Sequence, residues 1–166
     1  MKKFLRAILC LTLAMLFVMA PLETYASSST VKIYKVNADY VRVHSNAANG
    51  TDNVVVKLRK NSKVFYLSAA TGRGRGWIKI RTEYGAVGYI YKDYITYYGA
   101  ATRSHVGKVS SSTKLYRRAS SSSTRLTSLS KGQHVIAYSI SGNWVYVKTL
   151  SGKAGYVRKS SLKKAF

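Results

Sequence analysis

Apolar positions along this chain alternate with polar ones; after residue 26 they do not recur at helical spacing. Val31, Ile33, Tyr34 and Val36 open a first apolar stretch, and Val41-Arg42-Val43 alternates as a half-buried strand should. Val54 to Leu58, Val64-Phe65-Tyr66-Leu67, Trp77 to Arg81 and Val87 to Ile90 follow, each separated by turn-forming residues. Leu115, Leu126 to Leu129, Val135-Ile136-Ala137-Tyr138, Trp144 to Lys148 and Ala154 to Val157 form a second series of the same kind. Within Trp77 to Arg81 the strand period puts Ile78 and Ile80 on one face and Trp77, Lys79 and Arg81 on the other. The aliphatic face is the simpler core, so Trp77 is expected at the surface or in a groove unless a loop covers it. The pattern predicts an all-β protein.

The two series are one unit written twice. Trp77 to Ile95 returns sixty-seven positions later as Trp144 to Leu162, with Trp77/Trp144, Thr82/Thr149, Gly85/Gly152, Gly88-Tyr89/Gly155-Tyr156 and Lys92/Lys159 identical. Ile78/Val145, Ile80/Val147, Arg81/Lys148, Ile90/Val157 and Ile95/Leu162 keep chemical type. Upstream of the Trp the offset becomes seventy-one, as Val64 to Val135, because the first copy carries an insertion with Gly72-Arg73-Gly74-Arg75-Gly76. Domains are expected at residues 31–96 and 106–164, with a linker at 97–105, although His105 to Val109 also reads as the first strand of the second unit. Units of about 60 residues have little room for a core, which favours packing of one against the other.

Residues 1–26 read as a leader. Lys2, Lys3 and Arg6 precede the apolar run Ala7 to Ala20, Pro21 closes it, and Thr24-Tyr25-Ala26 puts small residues where a signal peptidase inspects them. The run is short for a bilayer span, and Cys10 follows Leu9 where a lipoprotein would have a small residue. The expectation is a secreted chain beginning at Ser27, with no stable membrane insertion after cleavage. Cleavage removes the single cysteine, so disulfide and thiol chemistry go with it.

Charge narrows the partners. The sequence has 28 basic and 5 acidic residues. Three basic residues and one acidic residue lie in the leader, which leaves 25 against 4, about +21. Such a field attracts polyanions, and outside a bacterial cell these include teichoic acids and peptidoglycan carboxylates. The cations are scattered with no Lys/Arg block, and the short Gly-Arg run is weak grounds for nucleic-acid contact, so no specific nucleic-acid partner is expected.

These residues resemble bacterial SH3 domains. The resemblance rests on the order Val41-Arg42-Val43-His44-Ser45, Leu58-Arg59-Lys60 (and Leu129-Ser130-Lys131-Gly132), Trp77 to Arg81 (and Trp144 to Lys148), then Gly88 to Ile90 (and Gly155 to Val157). It implies two tandem SH3-like β-barrels of about five to seven strands each, and a role in binding the bacterial cell wall. The chain departs from the family where Gly-Pro is usual, with Asn46-Ala47 and Arg118-Ala119. It also has Tyr116 where an Arg is usual, opposite His44.

Catalysis finds no foothold in the spacing. The mature chain holds Asp39, Asp52, Glu83 and Asp93 as its carboxylates, each expected in a solvated loop and no two placed as a hydrolytic pair. His44, His105 and His134 have no ligand spacing, and the serines form no nucleophile motif. No enzyme, metal or cofactor is expected. Tyr and Trp are the better lead, since their rings stack on sugars and peptide planes while donating a hydrogen bond. The resemblance puts Tyr91 and Tyr94 beside Trp77 in a groove; the second copy offers Trp144 and Tyr146. Tyr89 and Tyr156 are expected as core or barrel-closing residues. The leading function is a secreted, non-catalytic protein that binds peptidoglycan or a teichoic-acid-like polyanion. The alternatives are an extracellular adaptor for a protein partner such as a wall hydrolase, and a cationic antibacterial effector.

Overall fold

A computed structural model describes residues 29–166, so the leader expected at residues 1–26 lies outside the described residues. The first unit contains β1 (Thr30–Val36), β2 (Val41–His44), β3 (Val54–Leu58), β4 (Lys63–Ala69), β5 (Trp77–Thr82), β6 (Val87–Tyr91) and β7 (Ile95–Thr102). The second contains β8 (Val106–Val109), β9 (Thr113–Tyr116), β10 (Arg125–Leu129), β11 (His134–Ser141), β12 (Trp144–Thr149), β13 (Ala154–Arg158) and β14 (Leu162–Lys164). The sheets run β3-β2-β6-β5-β4-β1-β7 and β10-β9-β13-β12-β11-β8-β14. Those two orders are the same order shifted by seven strands, so the duplication seen in sequence is a duplication of topology. The fold is all-β, with two SH3-like domains.

Alternation builds a core inside each sheet. Val36, Val43, Val64, Ile80 and Ile90 meet in the first unit; Val109, Leu115, Val135, Val147 and Val157 meet in the second. The β2–β6 junction rests on one registered pair, His44 with Tyr89, and β9–β13 on its counterpart, Tyr116 with Tyr156. Glycine makes both junctions possible. A Cβ on Gly88 would lie 2.5 Å from the His44 carbonyl oxygen, and one on Gly155 would lie 2.5 Å from that of Tyr116. Tyr89 and Tyr156 therefore stand at the closing junctions by their backbones. Their rings are not core: both are half-exposed, while Gly88, Ile90, Gly155 and Val157 are buried.

Residues 97–102, expected in the linker, belong to β7, which pairs along the whole of β1 from Thr30–Thr102 to Val36–Ile95. Gly99, Ala100 and Ala101 carry no strong strand signal of their own; the exposed edge of β1 recruits them. The connection to the second unit is the single helical turn Arg103–His105.

A third apolar cluster joins the two units. Val31, Ile33, Phe65 and Ala101 of the first meet Val106 and Leu150 of the second, with Ile136 and Phe166 packed against them. Phe65 and Ile136 are equivalent positions in the repeat, so the two copies meet through the same outer face. The β5–β6 turn seals this contact. Glu83 is buried, and its carboxylate accepts from the Gln133 side-chain amide (2.7 Å), the Ser151 backbone N–H (2.8 Å) and the Ser151 hydroxyl (3.3 Å). Its backbone carbonyl accepts from the His134 N–H at 2.7 Å. The solvated loop expected for Glu83 is thus corrected: neutral donors from the partner unit replace its water, which local sequence around Glu83 could not foretell.

His134 sits beside this turn, its ring 6.1 Å from Phe65 and 6.5 Å from Phe166. Its Nδ1 is buried without a hydrogen-bond partner. Burial, then the charge of Arg81 and to a lesser extent that of Lys108, push its pKa below the ordinary histidine value, against opposing effects of the Glu83 and Gly132 backbone.

Two outcomes follow for stability. Glu83→Ala leaves the buried Gln133 amide and the Ser151 donors unmet and should destabilise the fold by about 1–3 kcal/mol in chemical denaturation. Folding disfavours the protonated His134 ring, whereas the unfolded chain takes up a proton below about pH 6.5. Its folded pKa is the lower one, so stability is full above that pH and falls as pH drops through the window beneath it. Thermal melts between pH 7 and 5 should show this loss, and His134→Gln should flatten it.

Candidate functional site

The first unit opens a cleft of about 700 Å³ between the β1–β2 turn, the β2–β3 loop and the helical turn after β6. Trp77 forms its floor. The ring lies on the outward face of β5, as the alternation requires, yet is only 7% exposed because two neighbours cover its edges. His44 meets it edge-on at 5.2 Å and Tyr91 at 5.7 Å, both near-perpendicular contacts that suit aromatic quadrupoles. Strand register explains the second contact, since Trp77 is paired with Tyr91 across β5 and β6. Tyr94, in the helical turn Lys92–Tyr94, and Tyr40 form exposed rims at 47% and 69%.

Local chemistry fixes this arrangement. Gly76 has φ +94°, and a Cβ there would lie 2.7 Å from the Tyr91 ring, so glycine lets the ring rest on the backbone. The His44 Nδ1 faces the Asn53 side-chain oxygen at 2.7 Å. The Asn53 amide donates in turn to Asn46 Oδ1 (2.6 Å) and to the Ala48 carbonyl (3.1 Å), which ties the β2–β3 loop to the His44 ring. Asn37 donates to the Asp93 carbonyl at 2.9 Å and joins the β1–β2 turn to the turn bearing Tyr94. Asp39, Arg42 and Lys57 put both signs of charge on the cleft lining.

The structure thus brings Trp77, Tyr91 and Tyr94 into one cleft. His44, Tyr40, Arg42 and Lys57 join them without having been singled out as ligand contacts. The only advance signal was His44, noted as the position where the second copy has Tyr116.

The second unit keeps the tryptophan and changes its company. Trp144 is buried beneath Tyr116 (5.5 Å, near-perpendicular), and the Arg158 guanidinium lies 4.6 Å from its ring centre. Arg158 replaces Tyr91, and Ser161 replaces Tyr94. Tyr146 shares the outward face of β12 with Trp144, but its ring neighbours are Tyr138 at 6.4 Å and Tyr156 at 5.1 Å. The five expected contact residues therefore fall into two separate surfaces.

Residues 111–163 match the family model described as the bacterial SH3 domain. The match lies within the second unit, and the first unit repeats that unit's strand order. No curated protein matches the chain significantly. Among solved structures, NlpC2 from Trichomonas vaginalis is similar at 15% identity and a TM-score of 0.35, over 84% of this chain and 50% of that one. An NlpC/P60 family protein from Bacillus cereus ATCC 10987 is similar at 11% identity and a TM-score of 0.35, over 79% of this chain and 55% of its own. The chain spans about half the length of each.

Trp77 and Tyr94 should separate in stability measurements. Trp77→Ala removes a buried ring against which two others pack and should cost about 3–5 kcal/mol. Tyr94→Ala removes a half-exposed ring and should stay within about 1 kcal/mol of the parent by thermal melting.

Proposed function

We propose that this chain is an extracytoplasmic, non-catalytic binding protein of the bacterial cell wall. It takes peptidoglycan in the cleft of the first unit and draws on its charge for anionic wall polymer. The observation that carries this reading is the cleft: a tryptophan floor, tyrosine walls and a lining of Asp39, Arg42 and Lys57. Rings of this kind stack on sugar faces and peptide planes, and lining charges of both signs suit a peptide with free carboxylates and amines. The bacterial SH3 match supports the setting. The carboxylates support the non-catalytic part, because all four have partners, Asp52 through the Thr51 hydroxyl at 3.1 Å. Glu83 is held between the units, Asp39 accepts the Lys60 N–H at 2.9 Å, and Asp93 pairs with Lys92 at 2.9 Å.

Retention on purified wall sacculi across a salt series tests the reading. Exposed charges are screened over roughly 8 Å at physiological ionic strength, whereas ring stacking is not. Binding should therefore weaken with salt and level off at a resistant fraction. Tyr94→Ala should lower that fraction's affinity about twofold to tenfold while the protein stays folded. Complete release at moderate salt, or normal binding by Tyr94→Ala, would remove the cleft from the account.

A further inference from the structure

The outer face of the second unit carries a row of tyrosines with no counterpart in the first. Leu115, Val145, Val147 and Val157 point into the core, so alternation turns Tyr116, Tyr146 and Tyr156 outward. Register then lines them up: Tyr146 stands opposite Tyr156, and Tyr156 opposite Tyr116. A bulge between Ala137 and Ser139 brings Tyr138 beside Tyr146. The row crosses four adjacent strands at about 4.8 Å each, or roughly 15 Å from end to end. Tyr138 is 59% exposed and the other three are half-buried. At the far end Arg125 stands opposite Tyr116, and Arg158 flanks the row from its place over Trp144. The equivalent positions of the first unit are Leu67, Lys79, Tyr89 and His44. There Lys79 reaches toward the Tyr89 ring at 5.7 Å and interrupts the row at these positions; the first unit's own tyrosine contacts, Tyr34 with Tyr66 and with Tyr97, lie on β4, β1 and β7.

Charge separates the units as sharply. All four carboxylates of the mature chain belong to the first, and from Tyr94 to Phe166 there is no Asp or Glu. The row therefore lies on a unit whose ionised side chains are all cations, so a bound polyanion meets no repulsive side chain there.

We propose that this face is a second binding site, for a linear anionic glycopolymer, with sugar rings on the tyrosines and the polymer's negative groups on Arg125 and Arg158. The proposal rests on the wall-binding reading and names the site for its polyanionic ligand. Successive rings are inclined by 59° and 57°, so the surface is corrugated. A rigid nucleobase plane covers one such ring at a time, whereas a puckered sugar with a hydroxyl rim fits between two and bonds to the tyrosine hydroxyls.

The test uses the full mature chain with three probes: purified wall teichoic acid, inorganic polyphosphate of similar length, and a single-stranded DNA oligonucleotide. Tyr138→Ala/Tyr146→Ala should lose about tenfold in affinity for teichoic acid, with polyphosphate binding unchanged. Arg125→Ala should weaken both. Tyr138→Phe/Tyr146→Phe keeps the rings, should retain most of the teichoic acid affinity, and controls for folding alongside thermal melts. Unchanged teichoic acid binding by the double Ala variant overturns the proposal, as does a loss for DNA equal to or greater than that for teichoic acid. Sacculi stripped of anionic polymer report on the first unit's cleft alone. Failure there with an intact row effect sinks the cleft and spares the row, and the converse result does the opposite.

Discussion

The contact that the rest of the structure depends on is the buried carboxylate of Glu83. A charge taken out of water is costly unless hydrogen bonds replace its hydration. Here the replacements come from Gln133 and Ser151, both in the other unit. Glu83 is therefore satisfied only when the two units are docked. The apolar cluster around Phe65, Val106 and Leu150 supplies non-directional attraction, and Glu83 supplies the geometry. With His134 and Phe166 against the same patch, the units share a core and are not beads on a string.

That fixed scaffold leaves the outward positions free to differ. The inward residues of both copies are aliphatic and interchangeable in kind, and the closing glycines recur because a Cβ would strike the neighbouring carbonyl. The copies differ at outward positions, Tyr91 and Tyr94 against Arg158 and Ser161, and Lys79 against Tyr146. One architecture thus displays an aromatic cleft in one copy and a row of tyrosines flanked by arginine in the other.

Much of the fold was legible in the sequence because strand period and duplication are both local signals. The strands around Val43, Ile80, Val147 and Val157 stand where alternation placed them. The extent of β7 was not legible, because Gly99 to Ala101 owe their strand to pairing with β1 and not to their own propensity. The meeting of Trp77 with Tyr91 could be expected from hairpin register, and Tyr94 from the turn that follows. Tyr40 and the Asn53–His44 bond depend on loops whose course no period encodes. The burial of Glu83 is not legible for the same reason: its partners lie fifty and sixty-eight residues away.

The lone carboxylate between two copies of one unit has a further consequence. The repeat places Leu150 where the first copy has Glu83, so the faces that meet are related in shape but opposite in chemistry. Two first units set face to face would confront one buried carboxylate with another. Two second units would bring leucine to leucine and leave the Gln133 amides without an acceptor. The unlike pairing satisfies the carboxylate, and three positions carry the difference between the copies: Glu83 against Leu150, Gln133 against Ser62 and Ser151 against Tyr84. Pairing of unlike units is thereby favoured over pairing of like ones.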